Sequence, residues 1–300
     1  MRNAIVNELL RLGEDNRTFL LLNDTGEYVF REFRLRFPHQ LINVGIAESN
    51  LVGIAAGLAA AGYVPFTYSI AAFYARAYEQ IRVDCCYNRA NVKLIGIGAG
   101  ISYGTMGPTH HTIDDIAAFR ALPNMAIFSP ADPVEAALLI KSAFVWEGPV
   151  YLRLGLAGEP IINATNYKPV IGIPTILREG TDIAIIATGR IVSEAIKTAD
   201  MLASNGISCS VTNIHTLKPF DPRRLSKEFR CNNILTLEEH NIQGGLGSLV
   251  AEGLAEGGYR SRLIRCGLLD TFCPTYGSRE YLYKYLRLDA ISIAERIDRL

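Results

Sequence analysis

The chain has 300 residues, of which 49% are apolar and 20% are charged, and its formal net charge at neutral pH is zero. This length allows two domains, each with its own hydrophobic core. Charges of both signs are scattered along the chain, which argues against a nucleic acid or an anionic membrane as partner.

The first eight residues combine an acid with an amphipathic rhythm, unlike the apolar core of a signal peptide. No apolar run approaches the length of a membrane span without a charge, Gly or Pro. We therefore expect a cytoplasmic location and no membrane partner. The six cysteines contain no Cys-x-x-Cys pair, so reduced and mostly buried thiols are expected.

Predicted strands alternate with predicted helices from the start of the chain, which is typical of parallel sheets covered on both faces. The first domain is predicted over residues 1–157. Its helices are expected at residues 2–12, 49–61, 72–88 and 133–145. Its strands are expected at residues 19–22, 43–45, 64–67, 92–97, 126–129 and 150–154.

A connector rich in Pro, Gly and Asn is predicted over residues 158–180, before a second domain over residues 181–300. The strands of this domain are expected at 182–189 (with its turn), 209–214, 233–238 and 263–266. Its helices are expected at 191–204, 246–256 and 290–300. The predicted fold class is α/β, with two domains that each contain a mostly parallel sheet with helices on both faces.

The apolar segment 41–48 delivers one carboxylate, Glu48, to the start of a helix. That helix is rich in Ala, Gly and Leu and nearly uncharged, so we expect it to be buried on most of its surface. A carboxylate at such a place is poorly solvated, so either it has a specific partner or its affinity for protons is used. On this segment alone, a helix-capping acid is an equally good interpretation.

A second segment, Gly107-Pro108-Thr109-His110, predicts a tight turn that fixes an imidazole able to exchange a proton near neutral pH. His111 competes for that role, since two adjacent histidines cannot easily face one pocket. His39 and His215 stand singly and are interpreted as structural. The run 238–240, Glu-Glu-His, could be an acid–base cluster, but packing and subunit contact explain it better.

These segments, with residues 65–82, 122–132 and 237–240, resemble the thiamine-diphosphate enzymes of the transketolase group over essentially the whole chain. The resemblance implies a pyrimidine-binding domain followed by a transketolase C-terminal-like domain with a role in assembly. It implies that Glu48 hydrogen-bonds a ring nitrogen of the cofactor's aminopyrimidine and that Phe73 lies against that ring. It also implies that His110 points at the reacting substrate.

Further positions are assigned by the same resemblance. Ile70 stands where an aromatic residue usually lies beside the cofactor, and Asp24 matches an aspartate near the cofactor or a subunit contact. For Asp24, an Asx-type turn is nearly as good an explanation. Arg76 matches an arginine in the substrate channel of deoxyxylulose-phosphate synthases. Met106 replaces an aspartate that reads a donor hydroxyl in transketolases.

The positions at which transketolases hold a substrate phosphate differ in this chain. Gly98 stands near a position that carries a histidine, and Gly155 or Leu156 stands where an arginine follows the strand. The loss of these counter-charges is expected to weaken the binding of ordinary sugar phosphates. Arg76, Arg153 or a partner subunit could compensate.

No segment resembles the Gly-Asp-Gly…Asn motif that binds Mg²⁺ and the diphosphate, and no metal ligand is assigned to this chain. We therefore expect an N-terminal diphosphate-binding transketolase subunit as partner, in an α2β2 heterotetramer. Helix 49–61 and the helix that carries Phe73 are expected near subunit contacts.

The function implied is that of the C-terminal subunit of a split transketolase, which moves a two-carbon ketol unit from a ketose donor to an aldehyde acceptor with thiamine diphosphate. The enzyme is expected to be active only with its partner, on small-molecule sugars. The alternatives are the beta subunit of a thiamine enzyme that decarboxylates 2-oxo acids and transfers acyl groups, or a catalytically degenerate assembly subunit.

Overall fold

A computed structural model describes residues 1–298, whose strands form a seven-stranded and a five-stranded sheet. The strands are β1 Thr18–Leu22, β2 Leu41–Asn43, β3 Val64–Ile70, β4 Lys93–Ile97, β5 Ala126–Phe128, β6 Val150–Leu154, β7 Thr175–Arg178, β8 Ile183–Ala187, β9 Cys209–Asn213, β10 Thr216–Lys218, β11 Asn233–Asn241 and β12 Arg262–Leu268.

The α-helices are α1 Arg2–Leu12, α2 Arg31–Arg36, α3 Glu48–Ala60, α4 Tyr78–Gln80, α5 Asp115–Arg120, α6 Pro133–Val145, α7 Val192–Ser204, α8 Leu246–Glu256, α9 Arg279–Tyr285 and α10 Ala290–Ile297. Short 3₁₀ helices span Ala71–Ala77, Gly104–Met106, Gly189–Ile191, Pro222–Leu225 and Glu228–Arg230, and a π-helix spans Ile81–Tyr87.

The order of the strands in the larger sheet is β10-β5-β6-β4-β3-β1-β2, and all its pairs are parallel except β10 with β5. The smaller sheet has the order β12-β11-β8-β9-β7 and is parallel except for β7 with β9. The predicted α/β class with two mostly parallel sheets is confirmed. Strand β10 comes from the second half of the chain but completes the first sheet. The domain bounds 1–157, 158–180 and 181–300 stay a prediction.

Several elements have the predicted bounds, namely α1, α6, α8 and β6. The sequence did not indicate α2, α5, α9, β7 or β10, which are all seven residues or fewer. Elements this short carry too few residues to display a periodicity. The last helix ends at Ile297, and residues 299–300 of its predicted range lie outside the described residues.

The single helix predicted over residues 72–88 is wrong. The segment begins as the 3₁₀ helix, continues as α4 and ends as the π-helix. The buried Tyr74 fixes its first turns to the sheet, because its hydroxyl lies 2.7 Å from Thr67 Oγ1 and donates to the Ile95 carbonyl at 3.2 Å. At the far end, the Ala90 N–H donates to the Cys85 carbonyl, an i→i+5 bond. Such departures from α-geometry often mark functional segments.

Helix α3 is less buried than its composition predicted. Leu51, Val52 and Ala55 are buried, whereas Gly57 and Ala60 are exposed in the single chain. The small side chains on the outer face leave a groove of about 620 Å³ between α3 and the loop that follows the π-helix. The expectation of burial on most of its surface is therefore wrong for the chain by itself.

The cysteines agree with the prediction of reduced thiols, since all six are free and five are buried. No helix within residues 1–298 is both long and apolar enough to cross a membrane.

Candidate functional site

The predicted acid Glu48 is the first residue of α3 and is only 6% exposed. Its Oε1 accepts a hydrogen bond from Asn23 Nδ2 at 3.1 Å. Within residues 1–298, Oε2 has no hydrogen bond and Glu48 has no ion pair, yet Oε2 is not among the fully buried atoms that lack partners. One carboxylate oxygen is thus held, and the other is free to meet a ligand.

Asn23, which follows β1 directly, was not predicted from the sequence as a site residue. It is 3% exposed, and its Nδ2 also donates to Ser69 Oγ of β3 at 2.8 Å. Its Oδ1 is buried without a hydrogen-bond partner. Because buried polar atoms are normally paired, this residue adds an unsatisfied acceptor beside Glu48. Its place next to Asp24, at the carboxyl end of a buried strand, was the available signal.

The aromatic rings of Phe73 and Tyr103 both contact the His110 imidazole in an edge-on arrangement. The Phe73 centroid is 5.3 Å from that of His110 at an interplanar angle of 62°, and the Tyr103 centroid is 5.8 Å away at 63°. The Thr109 hydroxyl lies 2.9 Å from His110 Nδ1. Edge-on aromatic contacts of this kind are favourable and orient the rings. The structure therefore brings the predicted residues Phe73 and His110 together.

Tyr103 occupies the space above Gly98, the position at which this chain has no side chain to offer a phosphate. Gly98 has φ +79°, and a Cβ built on it would stand 2.0 Å from Tyr103 Cε2. A side chain at position 98 and the Tyr103 ring cannot coexist in this arrangement. Tyr103 was missed because its contact with Gly98 depends on the path of the loop between them.

Arg2 lies near Tyr103 and Tyr68 and was also missed. Burial raises the pKa of both phenols, and the positive charge of Arg2 opposes that rise in each. Arg2 Nε is buried without a hydrogen-bond partner, and Arg2 forms no salt bridge within residues 1–298. A guanidinium without a carboxylate partner can bind an anion.

The remaining predicted site residues differ in their exposure and contacts. Ile70 ends β3 and is 9% exposed, whereas Met106 is 54% exposed in the turn before Gly107. Arg76 is exposed, and its backbone carbonyl accepts a hydrogen bond from Ser49 Oγ at 3.0 Å. Asp24 is exposed with φ +69°, and its N–H donates to Asn43 Oδ1 at 3.1 Å.

The competing His111 is 5% exposed, and burial lowers its pKa. The two isolated histidines differ, since His39 is exposed and His215 is buried. Burial also lowers the pKa of His215, to about 4. Within residues 1–298, none of these three rings has an aromatic contact of the kind described for His110.

Arg153 is not available as a phosphate ligand, which corrects one expectation. It is 3% exposed and pairs with the buried carboxylate of Asp115 at 2.9 Å. Its guanidinium also donates to the carbonyls of Thr112 and Glu239, at 3.1 and 2.9 Å. Tyr151 completes the cluster by donating to Asp115 Oδ2 at 2.7 Å. Every polar neighbour of Arg153 is thus a structural partner.

The Glu238 carboxylate supports the packing interpretation of residues 238–240. It accepts the N–H groups of Leu246 and Gly247 at the start of α8, at 2.7 and 2.8 Å. Burial raises the pKa of Glu238 to about 7. His240 is fully buried, and burial lowers its pKa. This cluster fixes the start of a helix and lies inside the protein.

The site fits a flat heteroaromatic group better than a metal ion. The free Oε2 of Glu48 can meet a ring nitrogen, and the half-buried ring of Phe73 offers a face for stacking. The 3₁₀ helix that carries Phe73 also borders a cleft of about 380 Å³, but the lining of that cleft contains none of Glu48, Phe73 and His110. Within residues 1–298, no group of three or more His, Cys, Asp or Glu side chains could hold a metal ion.

Comparison with known proteins finds a matching family model for each half of the chain. Residues 1–155 match the family model for the transketolase pyrimidine-binding domain, and residues 174–293 match that for the transketolase C-terminal domain. A solved structure described as a split gene transketolase, inactive beta4 tetramer, superposes with a TM-score of 0.91. It is 36% identical in sequence and covers 99% of this chain and 97% of its own.

Two curated relatives are similar over nearly their whole length. The chain is 43% identical over 278 residues to an apulose-4-phosphate transketolase subunit of Actinobacillus succinogenes, and the match covers 92% of this chain and 89% of that protein. It is 37% identical over 297 residues to the 6-deoxy-6-sulfo-D-fructose transketolase subunit SqwH of a Clostridium species, covering 98% and 92%.

Proposed function

The chain belongs to the transketolase family, and we propose that it is the C-terminal subunit of a split, thiamine-diphosphate-dependent transketolase. The enzyme transfers a two-carbon ketol unit from a ketose donor to an aldehyde acceptor. The observation that carries the proposal is the buried carboxylate of Glu48, with one oxygen held and the other free, and the contact between Phe73 and His110 supports it.

We assign each of these side chains a role in that reaction. Thiamine diphosphate, when bound, supplies the nucleophilic carbon that carries the two-carbon unit. The Oε2 of Glu48 would hold a proton at a ring nitrogen of the aminopyrimidine, and Phe73 would cover that ring and keep water away. His110, oriented by its two aromatic neighbours, donates or accepts a proton at the hydroxyl or carbonyl oxygen of the substrate.

The partner in our proposal is an N-terminal subunit that binds Mg²⁺ and the diphosphate, in an α2β2 heterotetramer. Support comes from the two relatives, each named as a subunit of a transketolase, and from the groove along α3, whose small residues would admit another chain closely. The metal is assigned to the partner subunit, because residues 1–298 contain no group of three or more His, Cys, Asp or Glu side chains that could hold it. The cytoplasmic location stays a prediction.

Calorimetric titration of thiamine diphosphate with Mg²⁺ into this chain, alone and mixed with the candidate partner, tests the split site. We expect tight binding only in the mixture, because the chain by itself offers only the aminopyrimidine half of the site. Tight binding to the chain alone would contradict the division of the site between two subunits. Absence of binding in both titrations would favour the degenerate assembly subunit.

The two relatives also suggest the class of substrate. Their names specify a sugar phosphate and a sulfonated sugar, both of which carry a terminal tetrahedral oxyanion. We propose that this chain acts on a sugar with such a group, held by Arg2 beside Tyr68 and Tyr103. The unpartnered guanidinium of Arg2 supports this, since the usual counter-charges are missing at Gly98 and residues 155–156.

Substituting Arg2→Gln is expected to raise KM for an acceptor with a terminal phosphate or sulfonate by roughly 10- to 100-fold, because a charge-assisted hydrogen bond is lost. The KM for an uncharged aldehyde should not change. Steady-state kinetics of the reconstituted complex measure both. Arg11→Gln is the matched control, since Arg11 lies on the same helix but is 72% exposed and pairs with Glu8. Equal changes for both acceptors would contradict the assignment.

A further inference from the structure

We propose that Asn23 is a positioning residue that fixes the orientation of Glu48 and so determines which carboxylate oxygen faces the cofactor. The proposal rests on the proposed function and assigns a role to a residue that the sequence motifs did not include. Asn23 touches Glu48 directly, and we place no contact between Asn23 and the substrate.

The position of Asn23 in the sheet places it beside two neighbouring strands. Strand β1 lies between β2 and β3 and pairs in parallel with both. Asn23 directly follows β1, the middle one of these three strands. Glu48 comes shortly after β2, and Ser69 lies near the end of β3. The Asn23 side chain therefore bridges two neighbours at the carboxyl edge of the sheet, where residues from several strands meet.

The amide hydrogens of Asn23 are both used in hydrogen bonds. An Asn amide has two N–H donors, and Asn23 directs one to Glu48 Oε1 at 3.1 Å and the other to Ser69 Oγ at 2.8 Å. Both donors are therefore used, and the side chain is held from two sides within a buried setting. Because Oε1 of Glu48 is occupied, Oε2 is the oxygen left to share a proton with a ligand.

The donor beside Glu48 is a neutral group. A Lys or Arg in this place would form an ion pair with Glu48 and would hold it strongly in its ionised form. The amide of Asn23 orients the carboxylate through a hydrogen bond and adds no charge beside it. The cost is the buried Oδ1 of Asn23, which has no hydrogen-bond partner in the described chain. A positioning role explains why a neutral donor is present here.

The test compares Asn23→Asp and Asn23→Ala in the complex reconstituted with the partner subunit. The Asp side chain has the size and shape of Asn but cannot donate to Glu48 when ionised. If the N–H group of Asn23 holds Glu48 in place, both variants should lower kcat by about 10- to 100-fold, since a hydrogen bond to a charged group is lost. The KM of the aldehyde acceptor should change little. The deficit of Asn23→Asp should shrink as pH falls, because a protonated carboxyl group can donate again.

A second measurement does not depend on turnover. The Kd of thiamine diphosphate, measured by calorimetry, should rise for Asn23→Asp and Asn23→Ala, and the near-ultraviolet circular dichroism of the bound cofactor should change. Ser69→Ala is the matched control, because it removes the other contact of the same amide and leaves the bond to Glu48. Its loss of kcat should be several-fold smaller. Thermal unfolding of each variant identifies any that fail to fold.

The outcomes separate this inference from the function on which it rests. If the wild-type complex binds the cofactor and transfers a ketol unit, while Asn23→Asp matches it in kcat and cofactor affinity, the positioning role is overturned. An Asn23→Asp deficit that does not depend on pH, with unchanged cofactor affinity and dichroism, would also overturn it. If the wild-type complex neither binds the cofactor nor transfers ketol units, the proposed function itself fails.

Discussion

In the reconstituted complex, Glu48→Gln is expected to lower kcat by roughly 10²- to 10⁴-fold, the range typical of general acid–base groups. Gln preserves the size of the side chain and can still accept the hydrogen bond from Asn23, but it cannot take up and return a proton. Turnover of a ketose donor with an aldehyde acceptor, followed with cofactor at saturation, measures the loss. Glu48→Ala should reduce turnover by at least as much.

The control for this experiment is Glu256→Gln, which changes an exposed carboxylate on the last turn of α8 and should leave kcat unaltered. Calorimetry on the Glu48→Gln complex should still detect the cofactor, because the diphosphate half of the site is assigned to the partner. Unchanged turnover in Glu48→Gln would remove Glu48 from the mechanism and would leave the assembly-only interpretation as the better one.

The sequence predicted long regular elements well, because their periodicity is local. Helices α1, α6 and α8 carry enough residues for their apolar pattern to define both ends. The segment 72–88 was misjudged for the opposite reason. Its helix type depends on contacts of Tyr74 with Thr67 and with the backbone of β4. Local helix propensity carries no information about such tertiary contacts.

The candidate site divides in a similar way. Glu48, Phe73 and His110 lie in contiguous motifs, so the resemblance could assign them, and the structure then brought Phe73 and His110 into contact. Asn23 and Tyr103 belong to no motif. Asn23 contacts Glu48, which is 25 positions away in the chain, and the contact of Tyr103 with Gly98 depends on the path of the loop between them.

Arg153 shows how burial changes the meaning of a charge. It stands in an apolar strand, Val150–Leu154, and from the sequence it was a possible counter-charge for a phosphate. An arginine inside such a strand is almost never buried unless it is paired. The more physical expectation was a buried carboxylate partner, which the structure supplies as Asp115.

The ion pair between Arg153 and Asp115 leads to the second large expected effect, which is on stability. Both side chains are at most 4% exposed, so Arg153→Met leaves the Asp115 carboxylate buried without its counter-charge. Breaking a buried pair by removing one partner costs about 3–5 kcal/mol. We expect a loss of this size in the free energy of unfolding, measured by denaturant titration of the chain.

The double variant Arg153→Met with Asp115→Asn should recover a large part of that loss, since the uncompensated charge is then removed as well. Arg223→Gln serves as the surface control, because its ion pair with Asp221 involves an arginine that is 87% exposed, and such pairs contribute about 0–1 kcal/mol. If Arg153→Met were no more destabilising than this control, the pair would not stabilise the packing of β6 against α5.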